Sequence, residues 1–439
     1  MSLQIKNPYS IRLGVVGSGT MGSGIALAAL YTNMVVTLYD ISAEMLSRAK
    51  EYIEKHLARK DMLISLQHLN LTTNLEDLSG AGVVIEAAVE DLEIKKELFK
   101  RLDELCPPPT ILATNTSTLP VTAIAAATCT PERVAGMHFF NPAPVLPLVE
   151  VIQGAQTSRD TLQTLVTLCE VLGKTAVIAR DTPGFIVNRV ARPFYGEALR
   201  LLGEQVATHE EIDRLVRMGG GFRMGPFELM DLIGIDINLA AMQSMYEQSF
   251  GEPRYRPQPI QVQKVHQGAL GRKSGQGFYS YGSETQKEDP SPARTEKRSG
   301  SVQLTSGTWA PRFAEICRKT GYKLINGAAA KPAQPLIGVA TAGKSEGLEK
   351  LIVQMDRSLL PETPIVCQCD DVTLTEVATW IRRPERLVGF DGLFFHNGPI
   401  ATLVASPTLT PKTRAIVEDF IHSLGRVSVW IQDSPGLVL

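Results

Sequence analysis

The chain has 439 residues, with 44 Lys and Arg against 46 Asp and Glu and a net charge of −2. That balance leaves no electrostatic footprint for nucleic acid, and the absence of an apolar run of about 18 residues argues against a membrane span. Six scattered cysteines point away from a disulfide framework, and the composition reads as a soluble, cytosolic protein long enough for about three domains.

The first apolar strand, Ile11 to Val16, runs directly into Gly17-Ser18-Gly19-Thr20-Met21-Gly22, and a small-residue helix from Ser23 to Leu30 follows. A second strand, Val35 to Tyr39, ends at Asp40. A glycine-rich turn between strand and helix, with an acid after the next strand, suits a dinucleotide. Gly17 permits the tight turn, Gly19 lets backbone approach a pyrophosphate, and Gly22 lets the helix pack closely on the sheet. Asp40 can accept both ribose hydroxyls and would repel a 2′-phosphate, which favours NAD over NADP.

Strand and helix then alternate. Gly82 to Ala88 reads as a buried strand, and Leu92 to Leu105 as a charged helix stopped by Pro107-Pro108-Pro109. Ile111 to Thr114 is the next strand, and Asn115-Thr116-Ser117-Thr118 is the polar loop at its carboxyl end. Ligands in open α/β sheets bind outside those ends, which puts Ser117 near the cofactor; an N-cap for the segment from Val121 to Ala127 is the plainer use of the same residue.

The run from His138 to Glu150 places an imidazole and a carboxylate on two short apolar segments joined by a Pro-rich turn. A carboxylate that accepts the ring N–H fixes the tautomer and stabilises the imidazolium, which makes a general base near neutral pH. A core histidine tied to a carbonyl would look similar in isolation.

From Gly184 the pattern becomes helical. Phe185 to Leu202, Glu210 to Met218 and Phe227 to about Phe250 carry apolar residues at helical spacing, broken at Gly219-Gly220-Gly221 and Met224-Gly225-Pro226.

In family order, these pieces resemble the L-3-hydroxyacyl-CoA dehydrogenases. The matching motifs are Gly17 to Gly22, Asn115-Thr116-Ser117-Thr118-Leu119, His138 to Val151, Asp181 to Arg189, Met224 to Leu229 and Gly271 to Tyr279. The resemblance covers about residues 10–281. It implies His138 as general base for the substrate 3-hydroxyl, Glu150 as its orienting acid, and Ser117 and Asn188 as hydrogen-bond partners of the reacting acyl thioester. It implies cofactor contacts at Gly17, Gly19, Thr20, Met21, Gly22, Asp40, Glu90, Lys95 and Asn115, with NAD as hydride acceptor and no metal. An acyl-CoA substrate and a homodimer are expected with it, as is a place in fatty-acid or phenylacetate catabolism. Arg59 and Lys60 could meet coenzyme A phosphates or simply line a solvated helix face. Related gulonate-type dehydrogenases share the base and the glycine motif, and a non-catalytic nucleotide-binding scaffold is the non-enzymatic alternative.

After a charged, Pro/Ser-rich stretch the sequence of the first domain repeats in altered form. Thr305 to Ala310 echoes Gly17 to Gly22, Pro384 to Gly389 echoes Pro131 to Gly136, Phe394-Phe395 echoes Phe139-Phe140, and Asp433 to Gly436 echoes Asp181 to Gly184. On this alignment Thr305 and Ala310 replace two glycines, Leu393 replaces His138, Ala405 replaces Glu150, and Ser117 falls near Asp370. Asn326 and Ala328 stand where an acid should, and His396-Asn397 lacks an aligned acid. Cys367 and Cys369 have the wrong spacing for zinc and suit a strand. The expected fold is therefore an α/β Rossmann domain, an all-α domain and a degenerate Rossmann-like α/β domain. The boundaries are 5–184 for NAD binding, 185–282 for substrate and dimerisation, 283–300 for a linker and 301–439 for the repeat.

Overall fold

A computed structural model describes residues 11–282, 289–291, 299–326, 335–392, 395 and 398–436. Most of the expected linker, and Ala328, Leu393, Phe394, His396 and Asn397, lie outside these residues. The chain divides into two compact units: Met1–Arg192 with Ser244–Glu252, and Pro193–Gln243 with Pro253–Leu439.

The first unit is built on a sheet of β1 (Leu13–Val16), β2 (Val36–Tyr39), β3 (Leu69–Thr72), β4 (Val83–Glu86), β5 (Ile111–Thr114), β6 (Val134–Phe139), β7 (Leu148–Gln153) and β8 (Thr175–Arg180). Their spatial order is β3-β2-β1-β4-β5-β6-β7-β8. All neighbours are parallel except β6 and β7, which run antiparallel. The chain reverses across β1, between β2 and β4, which is the switch point where open α/β sheets bind ligands.

Helices α1 (Thr20–Leu30), α2 (Ala43–Ala58), α3 (Leu92–Leu105), α4 (Val121–Ala125) and α5 (Arg159–Val171) cover this sheet. Ser42, Asp91 and Ser158 cap α2, α3 and α5 through their side chains, each worth about 1 kcal/mol. Helix α1 has no side-chain cap, and its N-cap is Gly19. One face of the sheet packs Val15, Ile85, Met137 and Val151 against Ile25, Leu27 and Leu165. The other packs Val84, Leu112 and Val134 against Phe99 and Leu102. Full burial of each such side chain contributes about 1.5–3 kcal/mol. The strand β3 was not expected: its Leu69-Asn70-Leu71-Thr72 is only partly buried, so it lacks the apolar run that marks its neighbours.

Five further helices follow: α6 (Val187–Gly203), α7 (His209–Met218), α8 (Pro226–Ile233), α9 (Ile235–Gln248) and α10 (Pro259–His266). In the second unit, two buried aspartates explain two motifs. Asp213 accepts the N–H groups of Phe227 and Glu228 at the start of α8 and the Tyr279 hydroxyl. Asp231 accepts Phe278 N–H, Tyr279 N–H and the Tyr281 hydroxyl. A Cβ at Gly225 would lie 2.2 Å from Asp213 Oδ1, and one at Gly277 would lie 2.1 Å from Asp231 Oδ1. These motifs serve packing around buried carboxylates. Asp289, in the expected linker, accepts Arg217 at 2.9 and 2.6 Å.

The second unit also holds a sheet of β9 (Ser301–Leu304), β10 (Lys323–Asn326), β11 (Ile337–Ala340), β12 (Ile365–Gln368), β13 (Leu387–Phe390), β14 (Ile400–Ala405) and β15 (Val427–Ile431). Among the described residues its order, β10-β9-β11-β12-β13-β14-β15, repeats that of β2-β1-β4-β5-β6-β7-β8 in the first sheet, including the antiparallel pair β13/β14. Helices α11 (Ala310–Lys319), α12 (Leu348–Ser358), α13 (Leu374–Ala378) and α14 (Pro411–Ser423) accompany it. Polar details repeat as well. Arg133 binds Asp103 and the carbonyls of Cys106 and Thr110, and Arg386 binds Asp356 and the carbonyls of Leu360 and Thr363. Asp181 accepts the first N–H groups of α4, and Asp433 accepts those of α13. The fold is thus a Rossmann domain, helices, and a second sheet of the same topology.

The internal alignment needs two corrections. Strand register puts His138 opposite Glu150 in the first sheet. Beyond the paired Phe390 and Leu403, the same register puts Asp391 opposite Thr402, and Asp391 N–H donates to the Thr402 carbonyl. The counterparts are therefore Asp391 and Thr402, not Leu393 and Ala405; the phenylalanine match misled because Phe395 lies past the end of β13. In the glycine turn, a Cβ on Gly17 would meet the Ala87 carbonyl, and one on Gly307 would meet the Thr341 carbonyl. Gly307 therefore matches Gly17. Helices α1 and α11 start at Thr20 and Ala310, so Trp309 takes the place of Gly19 and Arg312 that of Gly22.

Candidate active site

Every expected site residue lies in the first unit. Gly17 adopts φ +93°, and an added Cβ there would sit 2.7 Å from the Ala87 carbonyl. A Cβ on Gly22 would sit 1.7 Å from the Gly17 carbonyl. Both glycines are therefore required by the protein itself. Gly19 differs, because an added Cβ would meet nothing within 4 Å; its free side is where a ligand can press on backbone.

A cavity of about 920 Å³ opens beside this turn, lined by Gly17, Gly19, Asp40, Ile41, Ala88 and Ile94 among others. Its size and apolar walls suit the adenosine half of a dinucleotide. Asp40 stands at its edge. Its Oδ2 accepts Ser18 N–H and Oγ–H at 2.7 and 2.8 Å, and its Oδ1 accepts Ser42 N–H at 3.0 Å. The acid therefore shapes the glycine turn as well as facing the cavity. Thr20 is exposed at the first turn of α1, and Met21 packs partly on the core.

Beyond β4 and β5 lies a polar network. Glu86, fully buried at the end of β4, accepts Lys95 Nζ at 2.5 Å, Ala88 N–H at 2.7 Å and the Thr114 hydroxyl at 2.7 Å. Glu90 Oε1 accepts the Thr116 hydroxyl at 2.6 Å, Ser117 N–H at 2.8 Å and Thr118 N–H at 3.2 Å. Lys95 Nζ lies 3.5 Å from Glu90 Oε2, and its side chain is 1% exposed. Asn115 Oδ1 accepts Phe139 N–H at 2.8 Å, joining the loop to β6.

His138 and Glu150 are both buried, with Nδ1 to Oε2 at 2.7 Å. Glu150 Oε1 accepts Ile186 and Val187 N–H at 2.8 and 3.0 Å. The turn that aims those groups uses Gly184 at φ +72° and Phe185 at φ +49°, a conformation uncommon for a non-glycine residue. Burial pushes the Glu150 carboxyl up, but the bonds from His138, Val187 and Ile186 outweigh it and hold the group below the ordinary glutamate range. An ionised carboxylate only accepts, so Nδ1 carries a proton and donates it to Glu150. Phe140 and Phe185 flank the ring, with centroids 4.5 and 6.0 Å away.

Asn188, at the start of α6, donates from Nδ2 to the Ser117 carbonyl at 3.2 Å. Its Oδ1 accepts Arg192 Nη2 at 2.7 Å. A guanidinium donates only, so this bond sets which way the amide faces. Lys174 Nζ donates to the carbonyls of Ala143 and Leu146 at 2.7 and 3.0 Å, clamping the turn between β6 and β7. Lys60 lies over the Tyr31 ring at 4.0 Å.

The structure thus brings Ser117 and Asn188 together, and His138 and Glu150 together. Glu86, Thr116, Lys174 and Arg192 were not singled out in the sequence. Glu86 carried a signal, as an acid closing an otherwise apolar strand, and Arg192 lies one helical turn from Asn188 on α6; Thr116 and Lys174 depend on contacts between distant elements.

Residues 12–182 match the 3-hydroxyacyl-CoA dehydrogenase NAD binding domain, and residues 184–281 match the C-terminal domain of the same family. The chain is 47% identical over 307 residues to the 3-hydroxyadipyl-CoA dehydrogenase of Escherichia coli K12, an alignment that covers 66% of this chain and 65% of that relative. It is 43% identical to a probable 3-hydroxybutyryl-CoA dehydrogenase of Bacillus subtilis, covering 62% of this chain and 97% of the relative. Among solved structures, a 3-hydroxybutyryl-CoA dehydrogenase from E. coli K12 superposes with a TM-score of 0.78 at 35% identity, covering 98% of this chain and 82% of that one. Among the described residues no helix is long and apolar enough to cross a membrane, and no group of three or more metal-binding side chains is present.

Proposed function

The chain belongs to the 3-hydroxyacyl-CoA dehydrogenase family, whose NAD-binding and C-terminal domains it carries in order, and from that premise we propose that it oxidises the 3-hydroxyl of an L-3-hydroxyacyl-CoA to the 3-oxo thioester. The observation that carries this reading is the division of Glu150 between His138 and the N–H groups of Ile186 and Val187. It keeps the carboxylate ionised and leaves His138 Nε2 as the base. That nitrogen removes the hydroxyl proton, and Glu150 stabilises the imidazolium that forms. The Asn188 amide and the Ser117 hydroxyl orient the oxygens of the reacting end. In the reverse direction the protonated ring returns the proton.

Bound NAD supplies the hydride acceptor. Gly17, Gly19, Gly22 and Asp40 would hold it, supported by the open side of Gly19 and the cavity beside Asp40. Thr20, Met21, Glu90, Lys95 and Asn115 complete the proposed cofactor side. The names of the relatives extend the candidate substrates to 3-hydroxyadipyl-CoA and 3-hydroxybutyryl-CoA. A homodimer in the cytosol is proposed with them, to be checked by light scattering.

The deciding experiment is steady-state oxidation with NAD across a panel of 3-hydroxyacyl-CoA thioesters and free hydroxyacids. Turnover of the thioesters and not of the acids is expected. A free hydroxyacid oxidised more efficiently than any thioester would move the chain to the gulonate-type reading.

A further inference from the structure

The chain enters α6 by tying two parts of the site together. The N–H groups of Ile186 and Val187 donate to Glu150 Oε1, on the carboxylate that holds His138. The next residue, Asn188, donates from Nδ2 to the Ser117 carbonyl at 3.2 Å. One turn on, Arg192 donates from Nη2 to Asn188 Oδ1 at 2.7 Å. Residues four apart share a helix face, so the helix itself holds the guanidinium against the amide. Asn188 and Arg192 are each 8% exposed, and polar groups at that depth rely on partners within the protein.

The two ends of the amide are constrained independently. A carbonyl only accepts, so Nδ2 and not Oδ1 must face Ser117; a guanidinium only donates, so Oδ1 and not Nδ2 must face Arg192. The amide nitrogen carries two protons. One goes to the Ser117 carbonyl, and the other is what Asn188 can offer a ligand. A charge-assisted bond is about twice as strong as a neutral one, and hydrogen bonds in series polarise one another. The positive charge on Oδ1 therefore strengthens the remaining N–H as a donor. An amide free to turn over would also present its oxygen, which repels a substrate oxygen that gains negative charge as a proton leaves or a hydride arrives.

We propose that Arg192 is a positioning residue for Asn188: it fixes the amide as a donor and strengthens the N–H that Asn188 presents to an oxygen of the acyl group. This rests on the reading of Asn188 as a partner of the reacting thioester. Arg192 itself makes no bond to substrate. Its effect falls on the rate more than on binding, because a donor is worth most when the oxygen carries the developing charge.

The test is a double-mutant cycle on the full-length enzyme, with kcat and KM for 3-hydroxybutyryl-CoA and 3-hydroxyadipyl-CoA as readouts. Arg192→Met keeps the apolar stem and removes the donor. It should lower kcat by about tenfold with KM within about threefold, the scale of one charge-assisted hydrogen bond. Arg192→Lys should fall between wild type and Arg192→Met, because a point donor replaces a planar fork. Asn188→Ala should lower kcat by about tenfold or more, and in that background neither Arg192 change should lower it further by more than about twofold. If Arg192→Met does not fold, Arg192→Lys carries the same cycle. Losses that multiply in the double variants would overturn the proposal, as would an unchanged kcat in Arg192→Met. So would a loss confined to 3-hydroxyadipyl-CoA, which would make Arg192 a contact for the second carboxylate of that substrate. An unchanged kcat in Asn188→Ala would instead sink the reading of Asn188, and the inference with it.

Discussion

His138 and Glu150 face each other as register partners across the antiparallel strands β6 and β7. The 2.7 Å bond between Nδ1 and Oε2 is therefore set by the sheet and not by two mobile side chains. Backbone hydrogen bonding on either side fixes both Cβ positions, and cross-strand partners lie close by construction. In the proposed role of His138 as base, this pairing calls for little reorganisation when the ring takes a proton.

His138→Gln should lower kcat by about 10²–10⁴, the usual worth of a positioned general base. The Kd of NADH should barely move, because the cofactor cavity lies beside β1 and β2. Stopped-flow and steady-state rates with a 3-hydroxyacyl-CoA measure the first quantity and fluorescence titration the second. Turnover within about twofold of wild type would remove His138 from the chemistry.

Stability should report Glu150 on the acid side. Its folded pKa lies below the ordinary value, because bonds from His138, Val187 and Ile186 outweigh the upward push of burial. A carboxyl depressed on folding stabilises the native state above its unfolded pKa of about 4.3, and that contribution disappears as pH falls through the lower folded value. Wild type should therefore exceed Glu150→Gln in Tm near neutral pH, and the gap should close below about pH 4. Thermal unfolding across that range checks it, and a gap constant with pH would count against the assignment.

Asp40→Ala should weaken NAD and narrow its advantage over NADP. The change removes a ribose acceptor and a charge that repels a 2′-phosphate, together with the bonds that Ser18 and Ser42 make to the carboxylate. KM for both cofactors, measured side by side, decides the matter. A wild type that prefers NADP would show that Asp40 does not select the cofactor.

One NAD per chain is expected. In the second sheet Trp309 takes the place of Gly19 and Arg312 that of Gly22, so side chains stand where the first turn has none. Glu346 also accepts Thr308 N–H at 3.4 Å, the Thr308 hydroxyl and Gly343 N–H at 2.9 Å, placing a carboxylate on donors that a phosphate would need. Calorimetric titration should give a stoichiometry near one. Gly19→Val should fold normally, because its Cβ meets no protein atom, yet bind no NAD. Residual binding in that variant would assign a nucleotide to the second sheet.

Most of the element order, the glycine turn, the pairing of His138 with Glu150 and the presence of a second copy could be read from the chain. Each rests on local chemistry. Apolar runs name buried strands, Gly17 must take a positive φ, and residues on the two paired strands of an antiparallel unit have few ways to pair. The tertiary structure decided what depends on contacts between distant segments. It set Lys95 between Glu86 and Glu90, the Asn188 amide against the Ser117 carbonyl, and Lys174 under the turn after His138. It also moved the internal match from Leu393 to Asp391 and from Gly19 to Gly17 as the partner of Gly307. Sequence similarity follows residue type, and a phenylalanine pair or a lone glycine recurs easily. Strand register follows backbone hydrogen bonding, in which a slip of one residue turns every side chain to the opposite face, so only the folded sheet could say which residues of the two copies correspond.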